Sequence, residues 1–175
     1  MAVYGHKQWD SKSAVLAHLS ESHLPHVLVA APDEAPRRFD SFAVAASASE
    51  FEIVVFSANA STRPQVLELD GHRRALVGFD SFLCWIDLAR ATVGPLLRIE
   101  GIFFEFIPVE RRDHVVVVHE LGALRVDSTG NVLWRADTDV VESFRMEADT
   151  LVLELMDATE VRRVLLASGD ESPTG

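Results

Sequence analysis

The sequence predicts a mainly β protein, an antiparallel β-meander with blade-like hairpins packed on a second sheet and one short N-terminal helix. Three observations lead there. From Phe39 onward, short runs rich in Val, Ile, Leu and Phe are broken by Gly, Pro, Asn, Ser and Asp. Many runs alternate apolar with polar residues, the period of a half-buried strand. The breaks between the later runs are too short for parallel crossovers, which need a dozen or more residues.

The N-terminal segment 10–24 differs in texture. In "DSKSAVLAHLSESHL", Ser11 suits an N-cap, and Val15, Leu16 and Leu19 recur at helical spacing. A helix over about 13–22 follows, ended before Pro25. "HVLVAAP" reads as a strand and "PDEAPRR" as a connection. In "GIFFEFIP", Ile102, Phe104 and Phe106 alternate with Phe103, Glu105 and Ile107. The unbroken Val115–Val118 run suggests a strand covered on both sides. Residues 114–167 divide into six strands, 114–120, 123–127, 131–136, 140–147, 150–156 and 161–167, joined by hairpin-length turns into one meander. The expected organisation is a single β-rich domain over 1–170, with 171–175 as a flexible tail.

"FDSF" occurs at Phe39–Phe42 and at Phe79–Phe82, 40 positions apart. A further shift of 40 lays Asp80 on Glu120, Ile86 on Val126 and Asp87 on Asp127. A period near 40 with about four strands per unit is that of β-propeller blades. The segment "ELGALRVDSTGNVLWRADTD" carries a strand ending in Asp127, a Thr129–Gly130 turn and Trp134 on the next strand. Residues 119–139 thereby resemble a blade of the quinoprotein-like β-propeller kind. The resemblance implies blade-like local structure with Trp134 buried against another layer. It carries over no quinone, and no cofactor is assigned.

Composition narrows the function. With 175 residues and 48% hydrophobic residues, the chain can bury a sizeable core without metal or disulfide. The single cysteine, Cys84, sits in an apolar strand and reads as a buried structural thiol of a cytoplasmic protein. No apolar run approaches the roughly 20 residues of a membrane helix, so no membrane partner is expected. The formal net charge is −11, which disfavours nucleic acid. Acids outnumber bases 12 to 9 over residues 1–100 and 15 to 7 over 101–175.

No nucleophile elbow, phosphate loop or metal-spaced His set is present. His18 and His23 are five apart, not four, and His114 and His119 point to opposite faces of a strand. No catalytic or metal-binding residue is assigned. "DTDVVESFRMEAD" concentrates Asp137, Asp139, Glu142, Glu147 and Asp149 against one Arg145. These acids mark a rim for a basic protein partner, as in a bacterial immunity or inhibitor-type module that works without catalysis. The alternative is a small-ligand-binding or enzymatic β domain, with a pocket near 101–107 lined by Phe103, Phe104, Glu105 and Phe106.

Overall fold

The computed structural model describes residues 3–32, 34–46, 49–69, 74–109, 114–156 and 161–171. It is mainly β, with one short helix among these residues. Contacts divide the chain into two compact units, 1–98 and 99–175, where the sequence analysis expects a single domain over 1–170.

Unit 1 opens with β1 (Val3–Trp9), whose Gly, His, Lys and Gln carry no strand signal of their own. Helix α1 (Lys12–Glu21) follows, and the Ser11 hydroxyl accepts the Ala14 N–H at 3.2 Å as its N-cap. Strands β2 (His26–Ala30), β3 (Arg38–Ala46) and β4 (Ser49–Ser57) complete a sheet of order β1-β3-β4-β2, in which β2 runs parallel to β4. Strands β5 (Gln65–Leu69), β6 (Arg74–Phe79), β7 (Phe82–Asp87) and β8 (Thr92–Arg98) form a consecutive antiparallel sheet. Val27, Phe42, Ile53 and Val55 of the first sheet pack on Val77, Phe79, Cys84 and Ile86 of the second. Val15 and Leu19 of α1 cover the first sheet's other face at Val54 and Phe56.

In unit 2, β9 (Phe103–Pro108), β10 (His114–His119), β11 (Gly122–Asp127) and β12 (Val132–Asp137) form one sheet. β13 (Val141–Glu147), β14 (Thr150–Leu155) and β15 (Val161–Leu165) form another. The six strands expected over 114–167 therefore exist near their expected bounds, but they do not make one meander. Pairing breaks between β12 and β13, and β9 supplies the fourth strand of the first sheet. Val116, Val118 and Ala136 pack against Val141, Leu151 and Leu153, which closes the two sheets on one core. All four valines 115–118 are fully buried, so β10 is covered on both faces. The tail expected over 171–175 lies outside the described residues except for Glu171, which pairs with Arg162 at 2.8 Å.

The 40-residue period is structural. β6, β7 and β8 begin at 74, 82 and 92, and β10, β11 and β12 at 114, 122 and 132. The literal "FDSF" match is not part of it. Phe39–Phe42 lies inside β3, whereas Phe79–Phe82 turns the β6–β7 hairpin with Asp80 at φ 47°. The true counterpart of the second copy is His119–Gly122, which shares none of its letters.

What persists across the period is the acid chemistry. Asp80 accepts the Ser57 hydroxyl at 2.5 Å and the Ala58 and Asn59 N–H groups at 2.7 and 2.8 Å. Glu120 accepts the Ile102 N–H at 3.2 Å. Each hairpin carboxylate thus ties down the segment leading into its sheet. Asp87 and Asp127 likewise cap the next turns, Asp87 from Ala89 and Arg90 and Asp127 from Thr129 and Asn131. Partial burial opposes ionisation of Asp127, but the hydrogen bonds from Thr129 and Asn131 outweigh it and hold the carboxyl well below the usual range.

Candidate functional site

The strand 103–108 does not keep the alternation its sequence predicts. Register slips between Val118 and His119, where the partners step from Glu105 to Phe103, so Phe104 is a bulge residue. Phe103 and Phe106 are both buried and meet with ring centroids 4.7 Å apart. Phe104 and Ile107 instead join the core between the two sheets of unit 2. Glu105 is exposed.

A cleft of about 770 Å³ opens immediately beyond, in unit 2. Ile107, Pro108 and Val109 from the end of β9, Met146 from β13, and Leu166 give it a mostly apolar wall. Among the described residues, His114, Arg125 and Asp149 are its polar lining. None of Phe103, Phe104, Glu105 and Phe106 lines it. Arg125 is held in place: its Nη1 donates to the carbonyls of Leu166 and Ala167 at 3.0 and 3.1 Å. Among the described residues its buried Nε has no hydrogen-bond partner and no carboxylate pairs with it. The Asp149 carboxylate takes a 3.4 Å bond from the Thr150 hydroxyl. The β13–β14 turn that places Asp149 carries Ala148 at φ 54°, a conformation L-residues seldom adopt.

The five acids fall in two places. Asp137 and Asp139 stand exposed at the β12–β13 connection. Glu142 is exposed at the start of β13, on a bulge, since Val141 faces Leu155 and Ser143 faces the very next residue, Glu154. Glu147 and Asp149 lie at the other end of β13. Glu147 is not a free charge. Arg163 and Arg145 bind it at 2.5 and 3.0 Å, and these bonds, Arg163 first, lower its carboxyl below the usual value. Arg145 also pairs with Glu154, which takes the Ser143 hydroxyl as well.

His18 and His119 are engaged as structural groups. His18 pairs with the buried Glu52 at 3.0 Å and lies against Trp9. His114 lines the cleft, whereas His119, five residues on, is 1% exposed and its Nδ1 accepts the Leu121 N–H at 3.3 Å. Burial pushes the His119 imidazole below its ordinary value. Its contribution to stability is therefore complete above the unfolded value of about 6.5 and is lost as pH falls from there toward the lowered folded value. Urea midpoints between pH 7.5 and 5.5 should show this slope, and His119→Gln should flatten it. An unchanged slope in the variant would assign the effect to other groups. Cys84 is fully buried, which pushes its thiol up to about 11 and makes it inert.

Among the described residues no three His, Cys, Asp or Glu side chains converge to hold a metal ion. No helix there is long and apolar enough to cross a membrane.

No family model and no curated protein matches the chain. Solved structures similar to it include apo AztD from Citrobacter koseri, with TM-score 0.49 and 11% identity over 86% of this chain and 45% of that one. BamB from Moraxella catarrhalis gives 0.46 and 15% over 79% and 45%. Hsv2 of Kluyveromyces lactis gives 0.37 and 8% over 64% and 37%. The chain spans less than half the length of each. No family is assigned to the chain.

Proposed function

We propose that this chain is a binding protein without catalysis, and that the unit 2 cleft receives a small, largely apolar molecule bearing one polar head. The observation that carries the reading is the cleft itself. Its volume, about 770 Å³, lies within the roughly 300–1,000 Å³ of small-molecule sites, and its apolar wall holds only a few polar groups. The guanidinium of Arg125 is the natural partner for the head, because it is immobilised by two carbonyls and lacks a carboxylate among the described residues.

Anilinonaphthalene sulfonate, apolar with one anionic group, is a suitable probe. It should bind saturably with one molecule per chain, while near-ultraviolet circular dichroism stays that of the folded protein. Ala167 is exposed on the cleft wall. Ala167→Trp should fill the space and weaken binding about tenfold, ~1.4 kcal/mol. Non-saturable binding, or binding untouched by this variant, would overturn the proposal.

A second reading follows from the acids. Asp137, Asp139 and Glu142 are exposed at one end of unit 2, and a basic protein docking there would associate at a salt-dependent rate. An immunity or inhibitor role belongs to this reading. It rests on three residues and not five, because Glu147 is neutralised by two arginines and Asp149 lies in the cleft.

A further inference from the structure

We propose that a second pocket, in unit 1, binds the phosphate group of a small organic molecule. The pocket measures about 420 Å³ and is independent of the unit 2 cleft. His6 of β1, Phe42 of β3, and Arg63, Pro64 and Gln65 at the entry to β5 form it, with apolar Val3 and Val66 alongside. In a chain of net charge −11, its lining among the described residues contains two basic side chains and no carboxylate.

The imidazole is braced from behind. Asp40 is fully buried and accepts Arg38 Nε at 2.7 Å and Nη2 at 3.2 Å, so the two charges compensate each other. His6 Nε2 lies 2.7 Å from Asp40 Oδ1, and the ring rests on Phe42 with centroids 4.8 Å apart. Nε2–H donation to Asp40 sets the tautomer and leaves Nδ1 uncommitted among the described residues. Arg63 is exposed and forms no ion pair or hydrogen bond among the described residues. A guanidinium suits phosphate oxygens geometrically as well as by charge. A phosphate monoester is mostly dianionic at neutral pH and presents three acceptor oxygens, so one can meet Nδ1–H of a protonated ring while the others meet Arg63. A carboxylate brings one charge and two oxygens to the same two side chains. Pro64, Val3 and Val66 offer the organic part of a monoester an apolar wall.

The test is titration of the full chain with inorganic phosphate, phenyl phosphate and acetate at ionic strength matched with sodium chloride. Binding is followed by side-chain NMR of His6 and Arg63. Phosphate should shift both signals saturably, acetate and chloride should not, and phenyl phosphate should bind several-fold tighter than inorganic phosphate. Arg63→Gln should weaken phosphate binding about tenfold or more. Arg98→Gln, an exposed arginine outside the pocket, should leave it unchanged. Equal shifts with phosphate and chloride, or undiminished binding by Arg63→Gln, would overturn the site. Equal affinity for the two phosphates would overturn the organic ligand.

Discussion

Gly122→Ala should destabilise unit 2 by about 3 kcal/mol, the upper end of what a strained backbone position costs. Gly122 opens β11 at φ 131°, outside the usual range of L-residues. It faces Asp137 across the β11–β12 ladder, and a Cβ there would lie 2.1 Å from the Ala136 carbonyl oxygen and 3.2 Å from the Asp137 Cα. Both obstacles are backbone, so no rotamer change relieves them, and one strand must move. Gly5→Ala is the control, since its added Cβ would meet nothing nearer than Ala43 Cβ at 3.4 Å. That change should alter stability by less than about 1 kcal/mol. Urea titration with fluorescence and circular dichroism readouts measures both. A Gly122→Ala loss no larger than the control's would refute the close approach of β11 and β12.

Trp134→Ala should cost about 2–4 kcal/mol, somewhat less than for a fully buried aromatic. The blade resemblance implies a buried Trp134, but the residue is half-buried, at the margin of the core. Its value lies in what it joins. From β12 it packs on the core shared with β13–β15, and its indole N–H donates to the Leu166 carbonyl at 3.1 Å. Gly169, at φ 80°, lies so close that a Cβ would sit 2.7 Å from the ring. Trp134→Phe should retain most of the packing and lose about 1 kcal/mol for the missing hydrogen bond. If the alanine variant loses less than about 1 kcal/mol in denaturant, Trp134 does not hold the two sheets of unit 2 together.

The elements most legible in the sequence are those governed by local chemistry. Ser11 caps the helix because its hydroxyl reaches an N–H three residues away, and Pro25 follows the helix end within four residues. The hairpins of 114–165 are bounded by turns whose residues accept or donate within the turn itself, as Asp127, Thr129 and Asn131 do. The Asp87–Asp127 correspondence at 40 residues was likewise visible, because each acid serves its own turn.

Pairing across long separations was not legible. β1 has no strand-like composition and becomes a strand because β3, more than 30 residues later, completes its ladder. The faces of β9 and β13 depend on bulges, and a bulge arises from mismatch with a neighbour, which leaves no mark in the strand's own alternation. The charge excess of 101–175 was countable, yet Glu147 proved neutralised by Arg163 on a strand two positions across the sheet.

The sequence by itself determined the β class, the single short helix, the hairpin-sized turns of 114–165 and the 40-residue period, since each follows from neighbours within a few residues or from spacing. Only the tertiary structure decided which strands share a sheet, which faces are buried and where the cavities lie. The cleft draws on residues 107–109, 114, 125, 146, 148–149 and 166–167, and the smaller pocket joins His6 to Phe42 and Arg63. The physical reason is that a cavity is a property of chain segments brought together by burial of their apolar faces, and no linear pattern records which segments will meet.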